Sequence, residues 1–319
     1  MLAYLSRWIL PLTLVCTAVA VDPNDPLYEN AQKSYFEAIR VPEAWNKAHG
    51  VLSQRRATVA LIDSGIRADH EDLKGNLVTG YNVMDKNTDT HDRAGHGTAM
   101  AGIIGAVTNN GKGIAGITDH ISIMPICVYG EIPLADFAKS IDYAINAKVD
   151  VILLAAGFEV RSPIIEAALA RATQANIPFV CSSGNEGRNI SEPGQSRYPC
   201  QHSTTSDGVI CIAGTREASM NLHVKSNYAP FIDVAAPANA VTTTMSGKYT
   251  SVQGTSGSAA IAAAVIAMLK SVAPRSLSVK EIKDIIRTTS TLGVKSYDGT
   301  QSMPFGRLDA FKAIEKVLR

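Results

Sequence analysis

A chain of 319 residues, 46% of them hydrophobic and 18% charged, is long enough for one large single-core domain or two small ones. Its formal net charge of +1 supplies no long-range field for nucleic acid or an acidic lipid surface, so neither is an expected partner. Aromatic residues are scarce while Gly and Ala are plentiful, and small residues let helices approach a sheet closely, which fits a layered α/β protein better than a β-sandwich.

Met1 to Arg7 is a short charged start, Trp8 to Val19 an apolar run, and Ala18-Val19-Ala20 a small-residue cleavage site. Residues 1–20 therefore read as a signal peptide cut after Ala20, and the protein as secreted. The run is too short to span a bilayer, and no other segment approaches a spanning length. Val21 to Asn30 is polar, contains Pro23 and Pro26, and reads as extended. Residues 21–38 are thus expected to be an N-terminal arm or short pro-segment ahead of one domain over 39–319. Tyr35 to His49 has helical spacing of apolar residues.

From there short β-rich runs alternate with helical stretches. The runs are 57–61, 121–128, 151–155, 178–182 and 209–213; the helical stretches are 97–108, 134–147, 162–175, 256–272 and 279–289. The strands are continuous Val/Ile/Leu runs, so both faces should be covered. The expected fold is a three-layer α/β domain, with a mostly parallel central sheet between two layers of helices. Gly111 to Gly116 satisfies a dinucleotide-binding glycine pattern literally. It has a helix before it and a strand after it, the reverse of what that site needs, and reads as a connecting loop.

Of five cysteines, Cys16 lies in the leader. Cys200 and Cys211 flank a polar loop and look like a local disulfide in an exported chain, while Cys127 and Cys181 end apolar runs and suit buried thiols. None of the four has metal-ligand spacing.

Four polar residues sit where open α/β sheets do chemistry, or where a helix begins. Asp63 and Asn185 follow β runs; His96 and Ser256 open helical stretches rich in small residues. Each has a bland reading: a turn for Asp63 and Asn185, a loop or cap for His96, an N-cap for Ser256. Each also has a chemical one. Ser256 is a nucleophile at the positive end of a helix, and His96 a base kept neutral by its own helix end. Asp63 orients the imidazole, and Asn185 donates to an oxyanion.

The stretches Val59 to Ile66, His96-Gly97-Thr98, Ser183 to Gly187 and Gly254-Thr255-Ser256 occur in one chain order. Together with Asp233 to Pro237 and Gly306 to Ala310, they make residues 40–319 resemble the subtilisin-like serine proteases. The order Asp, His, Ser is that family's own. The resemblance implies a serine endopeptidase acting on polypeptides as a monomer, with Asp63, His96 and Ser256 as its triad and Asn185 in its oxyanion hole. It needs no cofactor for chemistry. The different-class alternative is a catalytically impaired relative that serves as a binding module.

By position, Ala155-Ala156-Gly157 and Ser182-Ser183-Gly184 match the segments that bind substrate backbone as an added strand and flank the specificity pocket. Asp72 and Asn109 match positions near a family calcium loop over 107–113, where Lys112 departs from the pattern. Gly257 stands where bacterial members usually have Met, and Ala155-Ala156-Gly157 replaces a usual Ser-Leu-Gly. Family members often carry a long folding propeptide; only Val21 to Ala38 stands in that place here.

Overall fold

The computed structural model describes residues 22–51, 54–217 and 219–319, so the leader over 1–20 lies outside the described residues. The central sheet contains β1 (Ala57–Asp63), β2 (Tyr81–Asn82), β3 (Ile121–Cys127), β4 (Val151–Leu154), β5 (Phe179–Ser182), β6 (Val209–Thr215) and β7 (Val234–Pro237), in the order β2-β3-β1-β4-β5-β6-β7. Every pairing in it is parallel. Successive residues of β1 point to opposite faces. Val59 and Leu61 join one apolar cluster; Ala60 and Ile62 join the other. The first cluster packs α3 (His96–Gly105) and α6 (Thr255–Val272) on the sheet, and the second packs α4 (Leu134–Asn146) and α5 (Pro163–Gln174). Continuous hydrophobic strands are therefore covered on both sides, as expected. β8 (Asn239–Thr243) and β9 (Tyr249–Gln253) form a separate antiparallel hairpin.

α6 runs up the centre of the first layer. Its middle, Ala259 to Ala267, is entirely Ala, Ile and Val, and Ala259 to Ala264 are fully buried. Among the described residues it is the one helix long and apolar enough to cross a membrane, which corrects the expectation that only the leader comes near that length. Here protein surrounds it on all sides.

The expected extended arm is also corrected. Residues 28–32 already form a helical turn, which leads into α1 (Lys33–Ala38) and then α2 (Val41–His49). Tyr28, Tyr35 and Phe36 are buried; Phe36 packs edge-on against Tyr28 and Trp45, with ring centroids 5.5 and 5.4 Å away. The Gln32 side-chain amide pairs with both backbone groups of Ala115, accepting from Ala115 N–H and donating to Ala115 O, each at 2.8 Å. The single helix expected over 35–49 is split at Arg40, whose φ is 60°. Pro42 explains the break: in a continuous helix its ring would meet the carbonyl of Ala38.

One buried ion pair ties the second layer to the last helices. Lys283, on α7 (Val279–Thr289), is 4% exposed and donates to Ser203 O, Ser206 O and Val209 O at 2.9–3.0 Å. Its ammonium lies 3.6 Å from Asp233, whose other oxygen accepts from Cys211 N–H and the Ser203 hydroxyl. Burial raises the Asp233 carboxyl and lowers the Lys283 ammonium, each partly offset by the other. Removing Lys283 leaves the buried Asp233 with only the half-exposed Arg287, also 3.6 Å away. Lys283→Met is expected to cost about 3 kcal/mol of stability, read as a lower denaturation midpoint.

Candidate active site

The site lies at the carboxyl rim of the sheet, where chain direction across it reverses: β1 is followed on one side by β3 and on the other by β4 and β5. Asp63 is the last residue of β1, and its neighbour Ser64 donates its N–H to the carboxylate at 2.7 Å. His96 is the first residue of α3, with Nδ1 2.8 and 2.9 Å from the two oxygens of Asp63. Asp63 is 8% exposed and His96 43%, so the acid is sheltered and the base faces the cleft.

Burial pushes the imidazolium down. The hydrogen bond and charge of Asp63, with Asp92 beyond, outweigh it, so the His96 pKa lies above the ordinary value. Asp63 and Asp92 thus act against the helix end, which by itself favours the neutral ring.

Ser256 stands in the first turn of α6 and shares a cleft of about 510 Å³ with His96 and Asn185. Its hydroxyl donates to the carbonyl of Ala155 at 2.8 Å, so the bond to His96 expected of a resting nucleophile is not the one made here. Asn185 is fixed through one end. Its Oδ1 accepts from the N–H and the hydroxyl of Thr255, at 2.9 and 3.1 Å. That assignment leaves the amide N–H₂ as the end that faces the cleft beside Ser256.

Two supporting residues escaped the sequence reading. Asp92 is 1% exposed and accepts from Ser64 Oγ, Ala94 N, Gly95 N and both donors of Thr98. Burial alone would raise its pKa, but these bonds hold it below the usual carboxylate range. The ionised group fixes the turn that presents His96. Asn227 is buried; its Oδ1 accepts from Glu186 N and Arg188 N, and its amide donates to Ser183 O. It staples the loop that carries Asn185. An acid four residues before the histidine was the sequence trace of Asp92, and Asn227 left none.

The segment Ser182-Ser183-Gly184 is buried, and the N–H groups of Ser183 and Gly184 are already bonded within the protein. Ser183 gives its N–H to Ile212 O and its carbonyl to Asn227. Gly184 gives its N–H to Thr255 Oγ1 and its carbonyl to Asn227 N. Ser183 and Gly184 therefore have no free N–H for an added strand, while each carbonyl keeps a second lone pair. Ala156 is exposed and Gly157 half-buried, so the facing segment keeps the accessible edge.

Cys200 and Cys211 are bridged, and Cys127 and Cys181 are free and buried. Burial pushes the Cys127 thiol up to about 11 and the Cys181 thiol higher still.

The donors near Asp72 do not fit a calcium ion. Asp72 accepts from Asn110 Nδ2 and Ile114 N–H, while Asn109 turns its side chain to Asn24 N–H. Asp25 fills the loop from the other side, accepting from Asn109 N and Asn110 N. A calcium shell needs inward oxygens; this loop directs N–H groups at its carboxylates. Among the described residues no three acidic, His or Cys side chains cluster as metal ligands.

A buried acid behind a histidine, sharing a sheet-rim cleft with a helix-start serine and a free amide, belongs to the α/β serine hydrolases. Comparison with known proteins narrows the class. The profile of the subtilase family (Peptidase S8) matches residues 54–307, and the chain belongs to that family. It is 30% identical to thermitase from Thermoactinomyces vulgaris over 301 residues, covering 92% of this chain and 99% of the relative. It is 30% identical to the major intracellular serine protease of Bacillus subtilis (strain 168), over 81% of this chain and 83% of that one. A solved structure of a protease from Pseudoalteromonas arctica PAMC 21717 superposes with a TM-score of 0.79 at 26% identity, covering 93% of this chain and all of the other. The protein is a serine endopeptidase, and subtilases need no cofactor for catalysis.

Proposed function

We propose that the protein is a secreted endopeptidase that cleaves polypeptides through an acyl-enzyme on Ser256. The observation that carries this reading is the His96–Asp63 pair facing one cleft with Ser256 and Asn185. A substrate N–H arriving at the Ala155 carbonyl displaces the Ser256 hydroxyl, which turns to His96 Nε2. His96 takes the proton as Ser256 Oγ bonds to the substrate carbonyl carbon. The oxyanion is met by the Asn185 amide and the Ser256 N–H. His96 then gives its proton to the leaving amine, and water repeats the sequence to release the acid.

Asn185→Ala is expected to lower kcat about 100- to 1000-fold with little change in KM, because the amide meets charge that exists only in the transition state. Export is supported by the leader-like residues 1–20 and by the Cys200–Cys211 bridge, which suits an oxidising compartment. The buried Tyr28, Tyr35 and Phe36 support keeping residues 22–38 in the mature enzyme.

The test is labelling of the purified protein by a fluorophosphonate, with casein and a short-chain ester assayed side by side. Labelling with casein cleavage supports the endopeptidase. Folded protein that neither labels nor cleaves sinks it and leaves a binding module. Mass spectrometry of the mature N-terminus tests export and cleavage after Ala20.

A further inference from the structure

Close to the nucleophile stands an arginine whose side chain makes no hydrogen bond. β4 and β5 are paired as far as Leu154 and Cys181, and past that point their chains separate. Ala155 O holds the Ser256 hydroxyl, and Gly184 N–H bonds Thr255, so the gap between the two chains opens at Ser256 itself. Its back is closed where Phe158 and Tyr198 exchange N–H···O bonds of 2.7 and 2.8 Å.

Arg197 stands in this gap. A methyl built on Gly157 would lie 3.0 Å from Arg197 Nε, and one on Gly184 3.3 Å from the same atom. Both walls are thus glycine where the guanidinium passes. The side chain is 19% exposed, and Nε is buried with no acceptor.

Two carboxylates stand near it, and both fall short. Glu186 Oε1 is 3.7 Å from Arg197 Nη2, and Glu159 Oε1 is 3.9 Å from Nη1, beyond hydrogen-bond reach. Glu186 is held back by Asn227, whose amide donates to it at 2.5 Å. Glu159 is 69% exposed and is shared with Arg188 at 3.3 Å, so water competes for it. The guanidinium is partly desolvated and lacks the planar acceptor it suits best.

We propose that Arg197 selects glutamate or aspartate as the residue whose carbonyl Ser256 attacks. A carboxylate entering from Ser256 meets the open donors and takes the place of the weak Glu159 contact. A leucine or phenylalanine there leaves the guanidinium buried without a partner, and a lysine meets a like charge. This rests on the endopeptidase reading above and deepens it.

The test is a set of tetrapeptide anilides that differ only in the last residue, namely Glu, Asp, Gln, Leu, Phe and Lys. Glu is expected to exceed its isostere Gln in kcat/KM by roughly 10- to 100-fold, the usual worth of a hydrogen bond to a charged group. Arg197→Gln is expected to abolish that ratio while raising activity on Leu. A wild-type Glu/Gln ratio near one overturns the proposal without any variant being needed, and so does a ratio unchanged in Arg197→Gln. Protein that labels with fluorophosphonate but shows no acidic preference fails this inference alone. Protein that neither labels nor cleaves any member of the set fails the endopeptidase reading, and this one with it.

Discussion

Ser256→Ala is expected to lower kcat by about 10⁶-fold, a magnitude taken from subtilisin itself, while the protein stays folded. The size of the loss follows from what remains. Asn185 and the backbone N–H at the start of α6 still bind an oxyanion, but no oxygen is left on the enzyme to attack. The small cost to the fold follows from what Ser256 touches. Its hydroxyl makes one bond, to Ala155 O, and it is not among the buried residues of α6. Losing that bond costs about 1 kcal/mol. Burst-phase kinetics and a thermal melt on the same preparation check both halves. Loss of activity with a collapsed melt would point to a structural serine and count against the assignment.

That distinction matters because Ser256 does not yet touch His96 in this conformation. The chain order Asp, His, Ser was legible because family motifs set each residue at a strand end or helix start. The rotamer was not legible, since it depends on the free carbonyl of Ala155, which appears only when β4 stops and its chain leaves β5. Asp92 and Asn227 were hidden for a related reason. Each is an ordinary polar residue in sequence, and becomes a fixed positioning group only when distant backbone N–H groups are folded around it.

The large elements were readable where burial is two-sided, because β1, β3 and β6 are mostly apolar runs without alternation. The β8–β9 hairpin was missed because β9, Tyr-Thr-Ser-Val-Gln, is mostly exposed and lacks alternation. The N-terminal residues were misjudged for the opposite reason. Prolines and charges dominate 21–30, but Tyr28 in the aromatic cluster and Asp25 on the N–H groups of Asn109 and Asn110 anchor the segment. Orientation was not legible in the calcium reading of the loop over 107–113: the N–H groups of Asn109, Asn110 and Ile114 turn to the acids.

The same logic separates residues that make the charge from those that place it, and Asp63 does both. Asp63→Asn is expected to reduce kcat by about 10⁴-fold and leave KM nearly unchanged. The amide that replaces the carboxylate, once it donates to His96 Nδ1, forces the ring proton onto Nε2, and the ring then cannot accept the proton of Ser256. The pH profile gives a second, independent readout. Burial lowers the His96 pKa, while the hydrogen bond and charge of Asp63 raise it further than burial lowers it. His96 acts as a base only when neutral. In the wild type, activity is therefore lost as pH falls through a value above that of ordinary histidine. Removing the carboxylate leaves burial and the more distant Asp92, so the acid limb of kcat/KM must move to lower pH in the variant. Asp63 does not contact substrate, so a large rise in KM would show that it holds the cleft's shape instead. A fall in kcat with an unmoved acid limb would break the link between this carboxylate and the base, and with it the roles assigned to Asp63 and His96.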